Sequence, residues 1–192
     1  MRKIHLLGLC ASLRRESNNA VILRTMGDEL MPPNVSLHIH TLQDLPLYNG
    51  DHDADEAPAP VVALRNAVNR VEGVVLASPE YSHGMSGVMK NALDWVVQPS
   101  SPIAPEKQTD PYVDGVACLH RWSPCSATTQ RDLMGDPSGA CTLPPIVIAE
   151  VEAKIRDGRL TDLATREFLA QGIKTMVQLL RMDTPKPMLT WA

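Results

Sequence analysis

Two stretches of this chain gather residue types that hold a charged or flat ligand. The first, ASLRRESNNA over residues 11–20, offers hydroxyls at Ser12 and Ser17, guanidiniums at Arg14 and Arg15, and side-chain amides at Asn18 and Asn19. Hydroxyls donate to phosphate oxygens, and a guanidinium forks onto two of them at once. A helical pattern follows, so the backbone amides of Asn18, Asn19 and Ala20 open a first turn whose unpaired N–H groups and dipole favour an anion. The segment has neither the glycine frame with a Lys-Ser/Thr pair nor the GxGxxG fingerprint, which points to a terminal monophosphate rather than a pyrophosphate. A solvated turn with a serine N-cap is the competing reading of the same residues.

The second stretch is SPEYSHGMSGVMKNALDW, residues 78–95. Pro79 halts a strand, leaving Glu80, Tyr81, Ser82 and His83 beyond its end. Gly84 and Gly87 let the backbone approach a flat ligand closely. Exposed N–H and C=O groups there would meet the polar edge of a ring, with Tyr81 or Met85 over its face. Trp95, further along the helical part, reads as packing.

The elements that must position these stretches alternate along the chain. Residues 4–9 read as a buried strand, 19–30 as a helix stopped by the prolines of MPPN, and VSLHIHTL as a half-covered strand near a sheet edge. A long polar loop containing DHDADE follows, then an amphipathic helix with Pro60 at its start, and the buried strand GVVLAS. GVMKNALDWVV reads as a helix, GVACL (115–119) and PIVIAEV as two further strands, and residues 162–181 as a long closing helix. Strands separated by helices imply parallel pairing with helices on both faces. Five strands with an edge-like second one suit the doubly wound order 2-1-3-4-5. In that order a ligand sits beyond the carboxyl ends of the strands where the winding reverses, between the loops at 10–19 and 79–87.

Composition narrows the classes. A chain of 192 residues with 44% apolar content suits a single domain over residues 1–192, and aromatics at 4% leave its core to aliphatic side chains. A net charge of −4 without a Lys/Arg-rich tract argues against nucleic acid as a partner. No apolar run approaches a membrane-spanning length, and Arg14, Arg15 and Glu16 cut short the first one, so we expect a cytoplasmic protein without a membrane partner. The four cysteines form no CxxC pair or ligand spacing, and no metal site is expected. His38 and His40, two apart on one strand face, and the acidic DHDADE read as solvated rather than as ligands.

With these residues laid out, the chain resembles the NAD(P)H-dependent FMN reductases of the flavodoxin-like superfamily, which include quinone, azo-dye and chromate reductases. ASLRRESNNA is similar to the family's phosphate loop G-S-x-R-x-x-S-x-N, with Ala11 in place of glycine. PEYSHGMSGVMKNALDW is similar to P-E-Y-N-x-x-x-P-G-x-L-K-N-A-x-D-W at identical spacing, with Ser82 and Ser86 replacing Asn and Pro. DGRLTDLATREFL also resembles the family. The resemblance implies a flavodoxin-like fold and FMN as cofactor, with its phosphate on Ser12, Arg14, Ser17, Asn19 and Ala20 and its ring and ribityl chain along Pro79, Glu80, Tyr81, Ser82 and His83. It further implies NADPH or NADH as reductant, a small-molecule acceptor (flavin, quinone, azo dye or chromate), and a homodimer or homotetramer pairing through residues 88–97. No side-chain acid or base is required, so no catalytic residue is assigned.

Residues 120–145 depart from the family pattern: QRDL survives, but bulky His120, Arg121 and Trp122 replace small residues and the expected glycines are missing. Three readings stand for this crossover: a variant that narrows the nicotinamide pocket, a short compensated frame change, or a disordered segment that impairs flavin binding. The functional alternatives are therefore a flavodoxin-like electron carrier and a family member with impaired flavin binding.

Overall fold

The segment IHLLGLC is apolar on both faces, and it forms a strand buried at every position except His5. A strand apolar on both sides needs a covering layer above and below it, the arrangement typical of parallel sheets flanked by helices, and the remainder of the molecule supplies it. The computed structural model describes residues 2–54, 57–82, 84–97, 116–120 and 146–181. Along the chain run β1 (Ile4–Cys10), α1 (Asn18–Thr25) continued by a π-helix (Met26–Leu30), β2 (Val35–Thr41), α2 (Gly50–Ala54), α3 (Ala59–Asn69) and β3 (Gly73–Ala77). The short strands β4 (Glu80–Tyr81) and β5 (Gly84–Met85) precede α4 (Gly87–Val97), β6 (Val116–His120) and β7 (Ile146–Val147). The described chain closes with α5 (Val151–Lys154), the strands β8 (Ile155–Arg156) and β9 (Arg159–Leu160), and α6 (Leu163–Arg181).

β1 pairs in parallel with β2 from Ile4↔Val35 to Cys10↔Thr41, and on its other side with β3 from Leu6↔Gly73 to Cys10↔Ala77. β6 runs parallel to β3, and β7 to β6. Side-chain alternation then divides the interior into two layers. Ile4, Leu6 and Cys10 of β1 and Val75 and Ala77 of β3 pack against Ile22, Leu23, Met26 and the α6 residues Leu169, Ile173 and Met176. The intervening Leu7, Leu9, Val74 and Leu76 pack against Leu64 and Val68 of α3 and Met89, Ala92 and Val96 of α4. Helices thus cover both faces, as strands apolar on both sides require.

Several local expectations are corrected. The first helix keeps α geometry only to Thr25 and widens into the π turn, with Met26 still buried in the core; an apolar period does not distinguish these two windings over so few residues. Of the expected strand PIVIAEV, Ile146 and Val147 form β7, and Glu150 takes a left-handed conformation (φ 50°, ψ 42°) immediately before α5; Pro145 lies outside the described residues. The DG step at residues 157–158 makes a tight hairpin between β8 and β9, with φ of 50° at Asp157 and 71° at Gly158, the signs a type I′ turn demands. The divergent crossover lies outside the described residues over 121–145.

The loop before α3 is also more ordered than its polarity suggests. Asp53 in DHDADE is buried, its carboxylate receiving Nη1 and Nη2 of Arg65 at 2.8 and 3.0 Å. Arg65 also donates Nε to the Trp95 carbonyl at 2.9 Å, so one guanidinium fastens α2 to α3 and to the end of α4. Trp95 Nε1 and Asn91 Nδ2 both donate to the Pro46 carbonyl at 2.8 Å, and the Trp95 ring meets Tyr48 edge-on at 4.9 Å. Trp95 is fully buried by these contacts, in keeping with its reading as packing. On β2, His38 is exposed and His40 half-buried; burial first, then the neighbouring His38, lowers the His40 pKa.

On the opposite layer, Glu29 of the π-helix binds two arginines from the C-terminal third. Arg159 donates Nε and Nη2 to Oε1 at 2.9 and 2.6 Å, and Arg166 Nη2 donates to Oε2 at 2.8 Å. These bonds, Arg159 foremost and Arg166 next, hold the Glu29 carboxyl below its ordinary 4.5. A depressed folded-state pKa contributes stability that is present above the unfolded value and is lost as pH falls through the folded one. Glu29→Gln should therefore lower the melting temperature at pH 7, with the gap to wild type narrowing below about pH 4.5 and closing in stronger acid. Melting curves of both proteins across this range check it, and a gap that widens on acidification would refute the role.

Candidate functional site

Parallel pairing on both sides of β1 places the carboxyl ends of β1 and β3 at one edge of the sheet. The Ala11 amide donates to the Ala77 carbonyl at 2.9 Å, carrying the pairing one residue beyond β1 before the two chains separate. The loop from Ser12 to Ser17 leaves on one side and the segment starting at Ser78 on the other. They separate where the winding reverses, which is where open α/β sheets form their ligand crevice.

Ser17 sets the geometry of the first loop. Its backbone is extended (φ −82°, ψ 118°), it is the N-cap of α1, and its Oγ accepts the Ala20 amide at 3.1 Å. A hydroxyl has one proton and two acceptor positions, so this capping bond leaves the Ser17 proton able to donate. Helix geometry gives the Asn18 and Asn19 amides no intrahelical acceptor. The Ala20 amide, expected in the anion cradle, is instead taken by the cap. Cys10 is a small buried residue ending β1, with its Sγ 3.8 Å from the Ser12 carbonyl and 3.9 Å from Ser17 Oγ.

One cleft of about 100 Å³ connects the two loops. Ser12, Arg14, Ser17, Asn18, Asn19, Pro79, Glu80 and Tyr81 line it, so eight of the residues singled out by sequence share one cavity. Whole ligand pockets occupy about 300–1,000 Å³, so the volume lined by the described residues is smaller than that range. Ser82 is exposed at the turn between β4 and β5, and His83 lies outside the described residues. Sequence reasoning missed Ile22, Ile148, Val151 and Glu152, which complete the lining. Ile148 precedes and Val151 and Glu152 follow the left-handed turn at Glu150, and a non-glycine residue with positive φ leaves no signal in a local apolar pattern.

The lining is chemically mixed. Arg14, the hydroxyls of Ser12 and Ser17 and the start of α1 bring hydrogen-bond donors to it. Glu80 and Glu152 bring carboxylates to the same cleft, and Tyr81, 57% exposed, presents a ring at its mouth. Such a cleft suits an elongated ligand with an anionic tail and a polar, flat remainder.

A parallel α/β sheet with helices on both faces and a cleft beyond the carboxyl ends of its first and third strands defines a flavodoxin-like fold. The chain belongs to the NADPH-dependent FMN reductase family, which it matches over residues 4–113. It is 37% identical over 97 residues to an NAD(P)H-dependent FMN reductase of Pseudomonas aeruginosa, covering 50% of this chain and 51% of that protein. It is 34% identical over 105 residues to a quinone reductase of Escherichia coli, covering 53% and 55%. The chain thus spans about half the length of these curated relatives. In three dimensions it is similar to FerB, a flavoenzyme NAD(P)H:(acceptor) oxidoreductase from Paracoccus denitrificans. That likeness has a TM-score of 0.71 and 26% identity, covering 92% of this chain and 97% of that one.

The β4–β5 turn carries a measurable strain. Ser82 has a φ of 51°, a left-handed conformation that asparagine adopts far more readily than most residues and β-branched residues resist. Its side chain is exposed, so substitution there tests the backbone alone. Ser82→Asn should raise stability by up to about 1 kcal/mol, and Ser82→Val should lower it by more than about 1 kcal/mol. Urea denaturation midpoints check both, and equal midpoints for the two variants would contradict the assignment.

Proposed function

We propose that this protein is an NAD(P)H-dependent FMN/quinone-type oxidoreductase. The observation that carries this reading is the single cleft that joins the hydroxyl, guanidinium and amide cradle of residues 12–19 to Pro79, Glu80 and Tyr81. The donor set fits a dianionic monophosphate: Arg14 supplies a forked charge, Ser12 and Ser17 supply hydroxyl protons, and the start of α1 supplies backbone N–H groups and the positive end of its dipole. The carboxylate of Glu80 and the backbone of the segment after Pro79 suit the hydroxyls and polar edge of the remainder.

FMN held there by Ser12, Arg14, Ser17 and the segment after Pro79 would supply the redox chemistry that carries reducing equivalents from NADPH or NADH to a small acceptor such as a flavin, a quinone, an azo dye or chromate. The chain's own residues anchor the phosphate, orient the ring and leave one face accessible. No side chain in the cleft has to act as acid or base. A single open face visited in turn by donor and acceptor leads to ping-pong kinetics. Among the described residues no helix is long and apolar enough to cross a membrane, and our reading is of a cytoplasmic homodimer or homotetramer. We read residues 1–192 as one domain whose sheet completes the doubly wound order 2-1-3-4-5, a reading supported by the sequence of pairings β2, β1, β3, β6, β7.

Titration of the apoprotein with FMN tests the proposal. Wild type is expected to bind, and Arg14→Ala to weaken binding about 10–100-fold, the range for losing a charge-assisted pair. Steady-state oxidation of NADPH or NADH with a quinone should give parallel double-reciprocal lines. Unchanged affinity in Arg14→Ala would move the anchor elsewhere. Binding without turnover would make the protein an electron carrier, and no binding by wild type would overturn the reading.

A further inference from the structure

The two loops of the cleft are joined beneath it by a hydroxyl that does not line it. Ala11 follows β1, and its N–H donates to the Ala77 carbonyl. A residue in a parallel ladder bonds to the two residues flanking its partner, so with Cys10 opposite Ala77 the Ala11 carbonyl would accept from the N–H of residue 79. Residue 79 is proline and has no N–H. Ala11 is only 1% exposed, and a buried carbonyl without a donor is strongly disfavoured.

Ser86 supplies the donor. Its Oγ donates to the Ala11 carbonyl at 3.2 Å, accepts the Met89 amide at 3.2 Å, and accepts the Ser78 hydroxyl at 3.3 Å. These three bonds use the full capacity of a hydroxyl. The Ser86 amide in turn donates to Ser78 Oγ at 3.1 Å, while the one Ser78 proton is shared between Ser86 Oγ and the Pro79 carbonyl at 3.0 Å. Both serines are buried, Ser86 at 2% and Ser78 at 4% exposure. The root of the 12–17 loop, the segment leaving β3 and the first turn of α4 therefore meet at one oxygen atom. The family motif that this stretch resembles carries proline at position 86, which has no hydroxyl, so this connection belongs to this chain.

We propose that Ser86 is a positioning residue: its hydroxyl replaces the ladder bond that Pro79 cannot make and holds the anion-side loop at a set distance from the ring-side loop. The consequence for cofactor affinity rests on the flavin reading of the cleft, whereas the consequence for loop order does not. Ser86→Ala leaves the Ala11 carbonyl and the Met89 amide without their partner and should loosen the 12–17 loop while β1 and β3 stay intact.

Two measurements on the full chain test this. In flavin-free protein, Ser86→Ala should speed amide hydrogen exchange across residues 12–17 without changing exchange in the centre of β1 and β3. In the FMN titration the same variant should bind about tenfold more weakly. Ser86→Thr, which keeps the hydroxyl, should restore both readings, and Ser86→Cys, a weaker donor, should fall between Ser and Ala. Wild-type exchange over 12–17 in Ser86→Ala would overturn the proposal. So would faster exchange spread evenly through the sheet, or Thr and Cys variants that behave as Ala. A wild-type protein that binds no FMN would overturn the flavin reading, and the exchange comparison would still decide the role of Ser86.

Discussion

A strand buried on both faces constrains nearly everything else in this molecule. β1 has no polar face to turn towards water, so both sides of the sheet must be covered; its neighbours run parallel, and the crossovers that parallel pairing requires supply the covering helices. Parallel pairing in turn makes β1 and β3 end at the same edge, and their following loops depart from adjacent points. The cleft is a consequence of that geometry. Its residues come from positions about seventy apart in sequence, and no local feature of either loop would bring them together without the common edge.

The two loops solve different problems with similar chemistry. Ser17 stiffens the first by capping α1. Ser78 and Ser86 satisfy the second, where Pro79 interrupts the ladder and would otherwise strand a buried carbonyl. Hydroxyls serve in both places because one oxygen can donate once and accept twice, which allows a single side chain to join three segments. Away from the cleft, charge does the joining: the Arg65 guanidinium fastens the buried Asp53 and the end of α4, and Glu29 gathers Arg159 and Arg166 onto the π-helix.

Much of this was legible before any coordinates. The buried strands of residues 4–10 and 73–77 announce themselves as continuous apolar runs, and the helix at 87–97 by its period, with Ala92, Leu93 and Val96 buried and Val88 half-buried on its inner side. Ser12, Arg14, Ser17 and Asn19 read as an anion cradle from type and spacing alone, and they share a cleft with Pro79, Glu80 and Tyr81. The DG hairpin at 157–158 was also present in the sequence as a strong turn signal, although it was absorbed into the family resemblance of DGRLTDLATREFL. Asp53 illustrates the opposite case: within DHDADE it looks like any solvated acid, and only its pairing with Arg65 of α3 explains its burial.

Local chemistry is written in the order of the residues, because apolar period, capping preference and the missing N–H of proline act over a few positions. Sequence therefore determined the strand and helix types, the donor-rich character of residues 12–19 and the break at Pro79. Tertiary structure alone decided that Ile148, Val151 and Glu152 help line the cleft and that Ser86 bonds Ala11 across 75 positions of chain. Those contacts depend on a left-handed turn at Glu150 and on the register of two strands. Such long-range geometry is settled by packing, and no short stretch of residues encodes it.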